Sequence, residues 1–96
     1  MCLGWRYEEQ ISRLQNTLTD VQRLNGYRFT FKDTQEEALG LIAQEVEEVF
    51  PELVTNDAEG YKHVDYAALV PVLVEALKEQ QTQIEALQET VAQLQG

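Results

Sequence analysis

A heptad pattern near the C-terminus constrains this chain of 96 residues more than any other feature. Between Asp65 and Gln95, apolar residues recur at alternating steps of three and four, which is typical of the a and d positions of a coiled coil. We call these positions the seam; they are Val70, Leu73, Leu77, Gln80, Ile84, Leu87, Val91 and Leu94. Such a helix is roughly 40 Å long, longer than one face of so small a domain, so we expect the seam to pack against other copies of the chain.

The residues that flank the seam indicate a parallel homo-oligomer. None is charged, so nothing at the e and g positions selects a different partner by charge: these residues are Val74, Gln81, Gln88, Gln95, Ala76, Gln83 and Thr90. The stoichiometry stays open. Ile84 at a with Leu87 at d favours two strands, whereas Val74 and Ala76 widen the apolar face and favour three or more. The alternative is a helix that packs only on its own domain.

The upstream segments predict an α+β domain with a small antiparallel sheet. Apolar residues at helical spacing predict a helix of about four turns from Glu8, which ends at Asn25-Gly26. Strict alternation over residues 27–32 predicts a half-buried strand with Tyr27, Phe29 and Phe31 facing the core.

The middle of the chain predicts a second strand at 39–43, in which Gly40 permits a close approach of the backbone. A short helix is expected at 44–50, closed by Pro51, and then a hairpin whose turn is rich in Asn, Asp and Gly. Asp65 is placed to cap the long helix. Pro71 should either end a first turn at 66–69 or open the long helix.

Composition argues against several classes of partner. The net charge is −10 and the pI is near 4.3, which weighs against nucleic acid or an anionic membrane as a partner. No apolar run approaches the ~20 residues of a membrane span. The single cysteine, Cys2, cannot form an internal disulfide.

Catalytic or metal chemistry is not predicted from the residues themselves. Glu45 and Glu48 are neighbours on a helix while Glu47 points elsewhere, and no His or Asp lies at ligand spacing, so a solvated acidic face is the expected role. His63 lies in a predicted strand and is expected to be structural. We therefore expect no metal and no cofactor.

Three stretches resemble a known family: residues 40–54 (GLIAQEVEEVFPELV), 60–66 (GYKHVDY) and 69–73 (LVPVL), with a similar aromatic strand at 28–33. They closely resemble the C-terminal intramolecular chaperone domain of phage endosialidases, tailspikes and related fibres. The likeness covers about residues 9–85. It implies a parallel homotrimer at the end of a β-helical fibre, where the domain sets chain register and promotes folding of the upstream stalk.

Many members of that family then release themselves as serine peptidases with a Ser-Lys dyad. The family's motif opens the domain as Ser-Asp-x-Arg-x-Lys-Glu-x-Ile. Setting Arg6, Glu9 and Ile11 on its Arg, Glu and Ile places Leu3 at the nucleophile and Glu8 at the lysine. A serine nucleophile needs a nearby base, and these two residues supply neither group. We therefore expect that self-cleavage is absent and that assembly remains.

The resemblance and the seam together assign three segments. Residues 1–10 are the lead-in at the position of the cleavage motif, 11–72 the chaperone domain and 73–96 a trimeric coiled coil. The predicted trimer interface is Leu73, Leu77, Gln80, Ile84, Leu87, Val91 and Leu94. The predicted core motif is Leu41, Ile42, Gln44, Glu45, Val46, Val49, Phe50, Pro51, Val64, Asp65 and Tyr66.

The expected partners are other copies of the chain and an upstream β-helical stalk, in a virion tail fibre or in the host cytoplasm during assembly. Two alternatives stay open. The chain could be a self-cleaving peptidase that acts through an unusual site, or an oligomerisation module of a cellular scaffold or regulator.

Overall fold

The computed structural model describes residues 9–95 and has the predicted α+β class. Its helices are α1 (Thr17–Val21), α2 (Ala43–Val49) and α3 (Tyr66–Gln95), and a 3₁₀ turn spans Pro51–Leu53. Its strands are β1 (Tyr27–Thr30), β2 (Glu37–Gly40), β3 (Val54–Asn56) and β4 (Lys62–Val64). They form two antiparallel hairpins, β1–β2 and β3–β4, rather than one joined sheet.

The core lies where α2, the 3₁₀ turn and the first turns of α3 meet. Its buried side chains are Val46, Phe50, Leu53, Leu69 and Val72, and partly buried residues pack around them, among them Val21, Leu24, Leu41, Val49, Val54 and Val64. Val46 is almost fully buried, at 1% exposure. The predicted short helix is confirmed within one residue at each end, because its apolar positions recur at helical spacing and Pro51 ends it.

Local turn signals place the β3–β4 hairpin and the start of α3 as predicted. Val54 pairs with Val64, and the turn between the strands is closed by Asp57, whose Oδ1 accepts hydrogen bonds from the backbone N–H groups of Glu59 and Tyr61. Gly60 adopts a φ of 89°, which glycine tolerates at little cost. Asp65 caps α3 by accepting a hydrogen bond of 3.1 Å from the backbone N–H of Ala68.

The predicted N-terminal helix of about four turns is wrong for most of its length. Glu8 lies outside the described residues, and from residue 9 to Asn16 the chain is not helical. Gln10 and Asn16 have positive φ values, 56° and 61°, which an α-helix does not accommodate. Only the short α1 forms, so an apolar spacing of three and four was not sufficient evidence for a longer helix.

The predicted orientation of the β1 aromatic residues is also wrong. Tyr27, Phe29 and Phe31 are 37–48% exposed and do not belong to the buried core. The β1–β2 hairpin stands beside the core and is joined to it through a few side chains: the Tyr66 hydroxyl accepts the N–H of Leu41, and Glu45 accepts the hydroxyl of Tyr27. The predicted second strand begins and ends earlier, at Glu37–Gly40, because α2 already starts at Ala43.

Pro71 neither ends a first turn nor opens the long helix. It is the sixth residue of the continuous helix α3. Proline has no N–H, so the helix loses the hydrogen bond to the carbonyl of Ala67. Pro71 lies on an exposed side of the helix, where water can reach the backbone.

The short helix α1 is held by α3 rather than by its own cap. Asn16 at the N-cap makes no side-chain hydrogen bond to the helix. Instead the carboxylate of Glu79, on α3, accepts the backbone N–H groups of Thr17 at 3.2 Å and Leu18 at 2.7 Å. Thr17 is 3% exposed, so these hydrogen bonds are partly shielded from water. This long-range cap ties the start of the described chain to the middle of α3.

Replacing Gly40 by alanine should destabilise the β1–β2 hairpin. A Cβ at this position would lie 2.8 Å from the Tyr66 hydroxyl and 3.2 Å from a ring carbon of Phe29, and it would displace the hydroxyl that accepts the Leu41 N–H. We expect a loss of about 1–3 kcal/mol in the free energy of unfolding. Gly26→Ala is the matched control, because no atom lies within 4 Å of its Cβ position. Equal denaturant midpoints for the two variants would contradict this packing.

Glu79→Gln should loosen α1, because a neutral amide has one acceptor oxygen where the carboxylate accepts two hydrogen bonds. We expect a loss of about 1 kcal/mol in the free energy of unfolding, as for other helix caps. Amide hydrogen exchange at Thr17 and Leu18 should accelerate. Glu89→Gln, an exposed change further along α3, is the control; unaltered exchange in Glu79→Gln would refute the capping role.

Candidate assembly surface

Helix α3 has two faces with different surroundings. Leu69, Val72 and Ala76 share one face and are 4–8% exposed, because this face packs on the globular part of the same chain. Glu75 and Glu79 continue that side of the helix: Glu79 caps α1, and the carboxylate of Glu75 lies 3.9 Å from Arg13 and 3.3 Å from Lys78. The intramolecular contacts of α3 therefore occupy one side of its first half.

The predicted seam lies on a different side of α3 and is open. Its apolar members have exposures between 43% and 83%: Val70, Leu73, Leu77, Ile84, Leu87, Val91 and Leu94. Residues 80–95 are all exposed, since this half of α3 extends beyond the globular part. Ile84, Leu87 and Val91 line a shallow apolar groove with Gln88, Ala92 and Gln95. The single chain thus leaves an apolar stripe along the helix in contact with water.

Exposure of this stripe has an energetic consequence. Burying one side chain of this size is worth about 1.5–3 kcal/mol relative to leaving it in water. An exposed contiguous apolar surface of this kind marks an interaction site on soluble proteins. The seam is therefore a surface of the described chain on which contact with another apolar surface would be favourable.

The flanks of the seam differ in one respect from the prediction. Val74 is 50% exposed and does widen the stripe. Ala76 does not, because it is 4% exposed and packs in the globular part, on the opposite flank. The apolar stripe is therefore narrower at its start than the sequence suggested.

The residues of the predicted core motif are divided between the core and its surface. Val46 and Phe50 are buried, Leu41, Val49 and Val64 are partly buried, and Asp65 caps α3. Ile42, Gln44, Pro51 and Tyr66 are exposed to a larger extent. The Tyr66 ring is 50% exposed, although its hydroxyl is held by Leu41.

The acidic residues of α2 bind neighbouring side chains rather than converging on one point. Glu45 accepts the hydroxyl of Tyr27 at 3.0 Å, and this hydrogen bond raises the pKa of Tyr27. The carboxylate of Glu47 lies 3.1 Å from the ammonium of Lys62. Within residues 9–95, no group of three or more His, Cys, Asp or Glu side chains is arranged to hold a metal ion.

His63 is paired with the acid that shapes the β3–β4 turn. Its Nε2 lies 2.8 Å from Oδ2 of Asp57. This hydrogen bond and the N–H group of Tyr61 lower the pKa of Asp57. Because Asp57 binds the turn with its other oxygen, the pair has a structural explanation at an exposed site.

The positions that match the family's catalytic dyad, Leu3 and Glu8, lie outside the described residues. Ser12, the nearest serine, is exposed and lies in the segment before α1 that is not helical. Among the helices of residues 9–95, none is both long and apolar enough to cross a membrane.

The sequence did not reveal the contact between Glu79 and α1. The acid lies 62 residues from Thr17, and neither residue belongs to a short motif that would link them. Asn16 is a residue type that commonly caps helices, so nothing in the sequence indicated that the N–H groups of α1 take a distant acceptor instead.

Comparison with known proteins identifies the family of the domain. A family model described as chaperone of endosialidase matches residues 6–55, which is 50 of the 96 residues and includes every element from α1 to part of β3. A comparison with curated proteins found no match. The matched region covers two of the stretches that carry the sequence resemblance, residues 28–33 and 40–54, whereas residues 60–66 and 69–73 lie outside it. The chain therefore belongs to the chaperone-of-endosialidase family.

Proposed function

We propose that this chain is a homotrimerisation and folding module of a phage-type tail fibre or tailspike. In this role α3 joins three copies in parallel, and the globular parts hold the ends of an upstream β-helical stalk in register. The observation that supports it best is the open seam of α3, which leaves apolar side chains exposed on the side away from the domain's own contacts.

The chemistry of the stripe supports a second copy as its occupant. The flanking residues along the free half of α3, including Gln81, Gln83 and Gln88, are uncharged, so identical helices can approach without repulsion across the seam. A helix of 30 residues supplies four heptads of contact, enough to overcome the entropic cost of association. The resemblance favours three copies over two.

Trimerisation at one end of a chain would assist folding of a fibre. Strands from different chains must meet in register, and closing such non-local contacts is slow and costs entropy. Three joined ends raise the effective concentration of the neighbouring segments without any further contact. The upstream stalk is therefore the folding client in this proposal, in the virion fibre or in the host cytoplasm during assembly.

The proposed activity is non-enzymatic. Self-cleavage by the family's dyad requires a serine and a lysine, and the matching positions in this chain are Leu3 and Glu8. The aliphatic side chain of Leu3 has no nucleophilic atom, so the attack on a peptide carbonyl that the family's serine makes is not available at this position. Assembly without release is the activity that these residues allow.

Replacing Ile84 and Leu87 together by serine should abolish assembly. Each change removes a seam side chain from every copy, at a cost of about 1.5–3 kcal/mol per side chain. Light scattering at micromolar concentration should give a trimer mass for the unchanged chain and a monomer mass for the variant.

The matched control replaces Ala86 and Gln93 by serine, at positions of the same helical segment outside the seam and outside the apolar groove. It should remain trimeric. A monomer mass for the unchanged chain would end the proposal, whereas a dimer mass would retain assembly and correct the stoichiometry.

A fusion of the chain to a β-helical stalk should stay intact during prolonged incubation, because Leu3 supplies no nucleophile and Glu8 is not the family's lysine. Mass spectrometry of the fusion protein provides the measurement. A companion fusion with Leu3→Ser and Glu8→Lys restores the family's pair. Fragments cut near Leu3 in the unchanged fusion would show that the chain is a peptidase after all.

A further inference from the structure

Gln80 is the one polar residue among the eight positions of the seam. It is exposed, and within residues 9–95 its side-chain amide makes no hydrogen bond, whereas the amide of the adjacent Gln81 donates to Glu85 at 3.2 Å. An amide has both a donor and an acceptor, so it can bind a second amide of the same kind. The Gln80 amide is therefore free to bind across the seam.

Gln80 also occupies a particular place along α3. It follows Glu79, the residue whose carboxylate holds Thr17 and Leu18 of α1. Consecutive residues of a helix point about 100° apart, so Glu79 faces the domain while Gln80 belongs to the open side. The layer of Gln80 thus lies where contact with the globular part ends and the free half of the helix begins.

We propose that Gln80 determines the register and the parallel orientation of the assembled helices. This inference rests on the proposed function, since it assigns a role within the same seam. When identical chains align in parallel and in register, their Gln80 amides share one layer and can hydrogen-bond to each other. A shift of one heptad would instead place each amide against Leu73 or Leu87, where it would be buried without a partner.

An entirely apolar seam would discriminate poorly between these arrangements. Leucine, isoleucine and valine pack acceptably against one another in shifted or antiparallel alignments, whereas a single polar residue in the seam specifies register at a cost in stability. Because Gln80 adjoins the cap formed by Glu79, the register set in this layer is transmitted to residues 17 and 18 of each chain. Residues 17 and 18 in turn follow the segment that leads to any upstream stalk, so the same register would hold at the end of that stalk.

The test uses spin labels on the full chain. Cys2→Ser removes the natural thiol, and Glu89→Cys places a label on α3 at an exposed position that faces away from the seam. Double electron–electron resonance then measures the distance between labels on different copies. A parallel, in-register assembly gives one narrow distance, and a shift of one heptad displaces labels by about 10 Å along the axis.

In this background we compare the unchanged seam with Gln80→Leu and with Gln93→Leu. The second variant is the matched control, because Gln93 lies outside the seam on the same helix. We expect one distance for the unchanged seam and for Gln93→Leu. In Gln80→Leu, which retains an apolar seam and therefore still assembles, the in-register fraction should fall to about half or less as shifted arrangements appear.

A single distance in Gln80→Leu, equal to that of the unchanged seam, would overturn the inference and leave the proposed function intact. If the unchanged chain gives no distance between labels and a monomer mass, the seam does not assemble. That result would reject both the proposed function and the inference on Gln80. The two failures are therefore distinguishable in one set of measurements.

Discussion

The packing of Leu69, Val72 and Ala76 against the globular part is the interaction on which the rest of this structure depends. These three residues share one side of α3 and orient the helix about its own axis. Once that side is buried, the neighbouring side with Leu73, Leu77 and Ile84 has to face outward. The position of the seam is thus a consequence of the core, and a rotation of the helix would expose core residues to water.

In the proposed assembly, this arrangement would couple the stability of the domain to association. The core is small, and much of the apolar surface of the described chain remains on α3 and on the β1–β2 hairpin. A partner that binds only the folded chain stabilises it by mass action. We therefore infer that folding and assembly are linked, with the helix contributing one face to each.

Prediction from sequence succeeded where the determining contacts are local. Three elements depend on residues within a few positions of one another: the β3–β4 turn, the Asp65 cap and helix α2. They can therefore be predicted from the sequence alone. The heptad spacing of the seam is likewise a local signal, because it depends only on residues three and four positions apart.

Prediction failed where the determining contacts are distant. The spacing of Ile11 and Leu14 suggested a helix, but both are more than 40% exposed, and the backbone at Asn16 is left-handed. Aromatic and polar residues alternate in β1, which is the pattern of a half-buried strand. The β1–β2 hairpin nevertheless lies beside the core. Ala76 was assigned to the flank of the seam by position alone, whereas in the fold it is buried against the globular part of the chain.

The contact between Glu79 and α1 has a consequence for the order of events during synthesis. Its two hydrogen bonds join residues 62 and 61 positions apart, so the amides of Thr17 and Leu18 cannot bind this carboxylate until the first half of α3, through Glu79, has left the ribosome. Chains emerge from the N-terminus at about 5–20 residues per second, and any segment upstream of residue 9 is complete by then. Helix α1 is therefore bound to α3 only after any segment that precedes the domain has been made.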